Sequence, residues 1–247
     1  MTNFNRKYIK NKIIQIDPKR WWGDDFDVRF YLISKLLNLE KKKILDIGGG
    51  IGIISSEIPQ NNFRVNLDLN FDDLKTCGEV TDSYIDNVCA SMKDIPFSDN
   101  SFDVVVSSSV LQYAKSEDMK LKKMSIIDNI QTYPTVEKCI KEIIRVLKPN
   151  GKLFLVTQNN SYYNSYMLNY DELQYSINKY FSNVDIGFYN TYHKILKDSR
   201  KLNMANVIPK LLSRIKDDES IIQSLYKTKS KNNYSVSFFV EASKKDT

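Results

Sequence analysis

Residues Lys43 to Ile53 read KILDIGGGIGI, and no other stretch limits the fold so sharply. Ile44, Leu45 and Ile47 make a short apolar run that ends at Asp46 and a glycine cluster, then passes into Ile51, Ile53 and Ile54. This pattern predicts a buried strand, a tight turn and the start of a helix. Gly48, Gly50 and Gly52 fall at alternate positions, where a chain without Cβ atoms can bend sharply and approach a ligand closely. A dinucleotide loop, G-x-G-x-x-G, would need a third glycine at position 53, which is Ile53. A phosphate-cradling loop would need Gly-Lys-Ser/Thr, which is missing. What stands here is D-x-G-x-G-x-G. A plain strand–helix turn with no ligand is the alternative at this point.

The following segments bear on that choice. Arg64 to Leu69 (RVNLDL) predicts a second strand with Asp68 at its C-terminal end, twenty positions after Gly48. An acidic residue there is placed to accept hydrogen bonds from ribose hydroxyls; the alternative is an N-cap for a helix over 72–77. Positions 90–113 then read ASMKDIPFSDNSFDVVVSSSVLQY, and 146–156 read VLKPNGKLFLV. Ile95, Pro96, Phe97, Asp99, Ser101, Phe102, Asp103, Val104, Val106, Ser107, Val110 and Leu111 match the L-P-F-x-D-x-S-F-D-x-V-x-S-x-x-V-L run of one family. With the glycine loop, they make the chain resemble the UbiE-like (type 11) branch of class I S-adenosylmethionine (SAM)-dependent methyltransferases. The resemblance covers roughly 44–156, continues weakly to about 188, and leaves 1–30, 114–134 and 190–233 uncovered.

The resemblance implies an α/β, Rossmann-like three-layer sandwich. Its mostly parallel seven-stranded sheet would have the order 3-2-1-4-5-7-6, with the last strand antiparallel. It implies SAM as cofactor, with Asp46, Gly48, Gly49, Gly50 and Gly52 around the methionyl part and Asp68 on the ribose. Leu69 and Met92 would face the adenine, and the Ser107 backbone would take the methionyl amine. The family carries an aspartate for the adenine amino group where this chain has Ser91, which can still accept one hydrogen bond. Trp22, Gln112, Tyr113 and Asn159 are the acceptor-side candidates. No catalytic base is assigned, because displacement at an already activated methyl carbon depends chiefly on alignment and exclusion of water. His193, the single histidine, lies outside the matched region.

Composition narrows the class further. With 247 residues, 42% hydrophobic and 27% charged, the chain can bury a sizeable core. It is expected as a single methyltransferase domain over 1–247, with an N-terminal helical extension (1–40) and a helical cap inserted at 190–233. Cys77, Cys89 and Cys139 have neither paired nor metal-ligand spacing, so free thiols, no metal and a cytoplasmic setting are expected. No run approaches the ~20 apolar residues of a membrane span. Between 194 and 231, ten lysines and arginines stand against four acids, which would draw an anionic acceptor. The expected function is methyl transfer to a small-molecule, lipid or glycan-precursor acceptor, with no DNA partner and the oligomeric state left open. The alternatives are an RNA or protein methyltransferase and a non-catalytic SAM-binding scaffold.

Overall fold

A computed structural model describes residues 8, 11–12, 14–15, 26–81, 84–159, 166–189, 227–228 and 237–245. The described elements, in chain order, are α1 (Phe26–Leu36), β1 (Lys43–Ile47), α2 (Ile53–Glu57), β2 (Phe63–Asp68), α3 (Phe71–Val80), β3 (Ile85–Cys89), β4 (Phe102–Ser108) and α4 (Leu111–Lys120). Then follow β5 (Ser125–Ile127), β6 (Ile130–Thr132), α5 (Pro134–Val146), β7 (Leu147–Gln158), α6 (Tyr170–Asn178), β8 (Phe181–Tyr189), β9 (Lys227–Thr228) and β10 (Ser237–Lys244).

The main sheet runs β3-β2-β1-β4-β7-β10-β8-β9. Its first five strands pair in parallel, and β10 is antiparallel to both β7 and β8. Leaving aside the two-residue β9 at the edge and a separate β5–β6 hairpin, this is the expected 3-2-1-4-5-7-6 order. The order reverses direction at β1 and β4, which pair through Ile44↔Val104 to Ile47↔Ser107. In such sheets the crevice for a ligand opens at the C-terminal strand ends beside this switch point.

Strand alternation divides the core into two layers. Ile44, Val104, Val106, Phe154 and Val156 face Val28, Phe30, Leu32, Ile33 and Leu36 of α1 and the isoleucines of α2. Leu45, Ile47, Val105, Leu153 and Leu155 face the opposite way, against Leu111 and Ala114 of α4, Val136, Ile140 and Ile143 of α5, and Leu173 and Ile177 of α6. Three of the helices begin where the sequence gives a start signal. Asn70 caps α3 by accepting from the backbone N–H groups of Asp72 and Asp73; Pro134 opens α5; and Asn169 with Glu172 forms a capping box on α6. Near the start of β7 stands Pro149-Asn150-Gly151, with Asn150 left-handed at φ 59°.

Trp22 lies outside the described residues, as does nearly all of the expected 190–233 cap, of which only β9 is described. Of the expected N-terminal extension, α1 is described, and Lys12 reaches Ser56 Oγ and Glu57 Oε1 at 2.6 Å each. Among the described residues no helix is long and apolar enough to cross a membrane.

Candidate functional site

A cleft of about 720 Å³ opens at the C-terminal ends of β1, β2 and β4. Its floor is Ile47 to Ile51, one wall is Leu67 to Asn70 with Ala90 and Met92, and the other is Ser108, Ser109, Val110 and Tyr113. Such a volume accommodates a nucleotide-sized ligand.

The glycine loop has its shape because side chains would not fit. Gly48, Gly50 and Gly52 all have left-handed φ values, 69°, 54° and 73°. A Cβ on Gly48 would stand 2.2 Å from Val110 Cγ2, one on Gly49 2.1 Å from Asn66 Oδ1, and one on Gly52 2.3 Å from Cys77 Sγ. The loop is therefore pressed against β4's exit on one side and α3 on the other. A polar row supports it from below. Asp46, Asn66 and Asn87 sit side by side on β1, β2 and β3. Asn66 Nδ2 donates to Gly50 O at 2.9 Å and to Asn87 Oδ1 at 3.1 Å.

Two carboxylates flank this loop in different environments. Asp68, at the end of β2, borders the cleft and accepts the Gly50 N–H on Oδ2 and the Asn70 N–H on Oδ1, both at 2.9 Å. It is not the N-cap of α3, which is Asn70. Asp46 is buried beneath the loop, with Oδ2 accepting from Ser55 Oγ at 2.7 Å and Oδ1 without a hydrogen-bond partner among the described residues. Burial pushes its carboxyl up to about 6; the Ser55 hydrogen bond opposes the shift and the charge of Asp68 adds to it. Asp46 thus supports the loop without bordering the cleft.

The other expected residues divide in the same way. Gly48, Gly49, Gly50, Leu69, Met92 and Tyr113 border the cleft. Ser107 does not; it is paired on both sides within the sheet, to Ile47 and to Leu155, and the next two residues take the cleft position instead. Ser109 has a left-handed φ of 57°, uncommon for a residue with a side chain. It is held there by its N–H bond to Val156 O and by the buried Gln112 Nε2 donating to its carbonyl. Gln112 is therefore a brace behind the wall. Ser91 also lies outside the cleft lining, its Oγ accepting from Lys93 N at 3.1 Å. Asn159 is buried beyond the end of β7, bridged to Leu168.

Sequence reasoning missed Arg29, Ser108, Asn70 and Gln158, all on the cleft. Ser108 Oγ is buried and has no hydrogen-bond partner among the described residues, leaving a polar atom for a ligand to satisfy. The Ser107-Ser108-Ser109 run at a strand's C-terminal end was the available signal. Arg29 had none, because it arrives from α1, far away in sequence.

Comparison with known proteins places the fold and the central segment among methyltransferases. A family model described as a methyltransferase domain matches residues 45–155. The ubiquinone/menaquinone biosynthesis C-methyltransferase UbiE of Rickettsia prowazekii (strain Madrid E) is 28% identical over 160 residues, 58% of this chain and 52% of that protein. The UbiE of Rickettsia felis (strain ATCC VR-1525 / URRWXCal2) is 29% identical over 164 residues, 61% of this chain and 56% of that one. The chain spans about half the length of the curated relatives it matches. Among solved structures, N-methyltransferase NodS from Bradyrhizobium japonicum WM9, in complex with S-adenosyl-L-homocysteine, superposes with a TM-score of 0.59 at 12% identity, covering 98% of each chain. The [4+2]-cyclase SpnF superposes at 0.55 and 14% identity, covering 94% of this chain and 85% of that one.

Proposed function

We propose that this protein, whose residues 45–155 match a methyltransferase domain of the class I SAM-dependent kind, moves a methyl group from SAM to a small-molecule acceptor that enters beside Tyr113. The observation that carries the reading is the cleft itself. A glycine loop with no room for side chains, a strand-end carboxylate and an unsatisfied serine hydroxyl converge on one space of suitable volume.

These residues suit SAM by their chemistry. Asp68 offers carboxylate oxygens toward a diol, and Leu69 and Met92 offer apolar surface to a flat ring. The Ser108–Val110 wall suits the polar end of the ligand. Asp46 and Asp68 set two carboxyl groups beside the loop against the guanidinium of Arg29, a balance that favours a cationic ligand there. SAM supplies a methyl group already activated by a positive sulfur. The chain's task is to hold donor and acceptor in line and keep water out, and alignment of this kind is worth on the order of 7–11 kcal/mol of barrier. No side chain need act as a base unless the acceptor is a plain hydroxyl.

The acceptor class is drawn from the relatives, whose printed activity is C-methylation in quinone biosynthesis. A small, largely apolar acceptor also fits a mouth bordered by the exposed Tyr113. Incubation with methyl-labelled SAM and fractionated cell extract tests the reading. Label is expected in a low-molecular-weight, solvent-extractable fraction. Label in RNA or protein, or in nothing despite bound SAM, would contradict it.

A further inference from the structure

Between α4 and α5 the chain makes a small hairpin that belongs to neither core layer. β5 and β6 pair only with each other, Ile127↔Ile130 closing the ladder. Asp128 and Asn129 turn it with left-handed φ values of 50° and 61°, the geometry that tight two-residue hairpins require. Every residue from Lys120 to Asn129 is exposed. The apolar ones are well exposed: Ile126 at 76%, Leu121 at 54% and Ile127 at 45%. Lys120, Lys122 and Lys123 are interleaved with them, and none makes an ion pair or side-chain hydrogen bond among the described residues. Asp128 is the single acid in the stretch.

The hairpin stands at the cleft end of the sheet. α5 packs along the sheet and ends where β7 begins, so its start, and the hairpin joined to it, lie at the opposite edge, where the parallel strands finish. The root is firm. Tyr133 Oη bonds Gln131 Oε1 and the buried Glu172, and Glu172 also holds Lys115 of α4, the helix that brings Tyr113 to the cleft.

We propose that this hairpin docks the protein on an anionic lipid surface, aliphatic side chains at the acyl boundary and lysines among the headgroups. An exposed aliphatic cluster costs solubility unless something covers it, and unpaired lysines beside it complement negative headgroups. A second copy would bring three lysines against three. Single-stranded nucleic acid would call for stacking aromatics, which the exposed stretch lacks, and a phosphate backbone would leave the aliphatic cluster uncovered. Docking would also turn the cleft mouth toward the bilayer, so that an apolar acceptor could enter from it; that consequence rests on the methyl-transfer reading, whereas docking does not.

The test is flotation of the full chain with phosphatidylcholine vesicles, with and without about one third phosphatidylglycerol, at low and high salt. Wild type is expected to float with the anionic vesicles at low salt. Ile126→Ser/Ile127→Ser and Lys122→Glu/Lys123→Glu should each lose about tenfold or more of that binding. Circular dichroism and SAM titration in solution report whether each variant is folded, and should be unchanged. Because the charge variant leaves the apolar pairing intact, it decides the matter even if the serine variant misfolds. Wild type that stays with no anionic vesicle, or variants that float like wild type, would overturn the proposal. So would a serine variant that instead converts a dimer to a monomer in sedimentation. Loss of vesicle binding with SAM binding intact separates this proposal from the methyl-transfer reading.

Discussion

Asp68 holds Gly50: the carboxylate at the end of β2 accepts the backbone N–H of the neighbouring loop at 2.9 Å. One side chain thus fixes the glycine loop and also borders the space that the loop creates. Asp68→Ala should weaken SAM binding by about 1–3 kcal/mol, since charged hydrogen bonds are lost from both loop and ligand. Asp68→Asn, which keeps an acceptor oxygen, should lose less. Calorimetric titration showing equal affinity in all three proteins would remove Asp68 from the site.

Gly48→Ala tests the loop's shape. The left-handed backbone alone costs about 1–2 kcal/mol with a Cβ, and that Cβ would also collide with Val110. Urea denaturation should show a loss greater than the backbone cost. Adding Val110→Ala should recover the steric part only. Full recovery would mean that the backbone there is not constrained.

Asp46 predicts a pH dependence whose sign follows from its raised carboxyl. The folded state holds this proton up to about pH 6 while the unfolded chain releases it near 3.8. This group's contribution to stability therefore declines as pH rises between those values and stays low above them. Asp46→Asn should be more stable relative to wild type at neutral pH than at pH about 4. A difference in melting temperature that is flat with pH would contradict the assignment. A cationic ligand beside the loop should favour the charged form, so wild-type SAM affinity should fall on acidification below about pH 6, and the variant's should fall less.

Lys115 and Glu172 form a buried ion pair at 2.7 Å, with the Met167 carbonyl on the lysine and Tyr133 Oη on the glutamate. Burial lowers the lysine's pKa while the glutamate raises it, and burial prevails. Lys115→Met, which strands the carboxylate, should cost about 3–5 kcal/mol. Lys115→Met/Glu172→Gln should cost less than the sum of the single changes. Strict additivity in denaturant unfolding would show that the pair is not coupled.

Much of this structure was legible in the sequence where its causes are local. The β1–glycine–α2 unit and Asp68 at the end of β2 depend on residues that are neighbours in the chain, so pattern and residue type reveal them. Placement across the sheet was harder. The serine run on β4 was expected to present Ser107, but pairing to β1 and β7 on both sides takes up that residue and moves the cleft wall to Ser108 and Ser109. Gln112, an acceptor-side candidate from the sequence, is buried and donates Nε2 to the Ser109 carbonyl, a contact that the sequence does not reveal. The Lys115–Glu172 pair joins positions 57 apart, and Arg29 comes to the cleft from another element. No window of sequence contains both partners. The β5–β6 hairpin did carry a local signal, Asp128-Asn129 between isoleucines, but it fell in a stretch that the family pattern does not cover.

The most direct test of the methyl-transfer account is calorimetric titration of the full chain with SAM, repeated with S-adenosyl-L-homocysteine as competitor and with NAD. The account predicts one SAM per chain, displaced by the competitor, and no heat from NAD. No SAM binding by the folded protein, or tight NAD binding in its place, would contradict it.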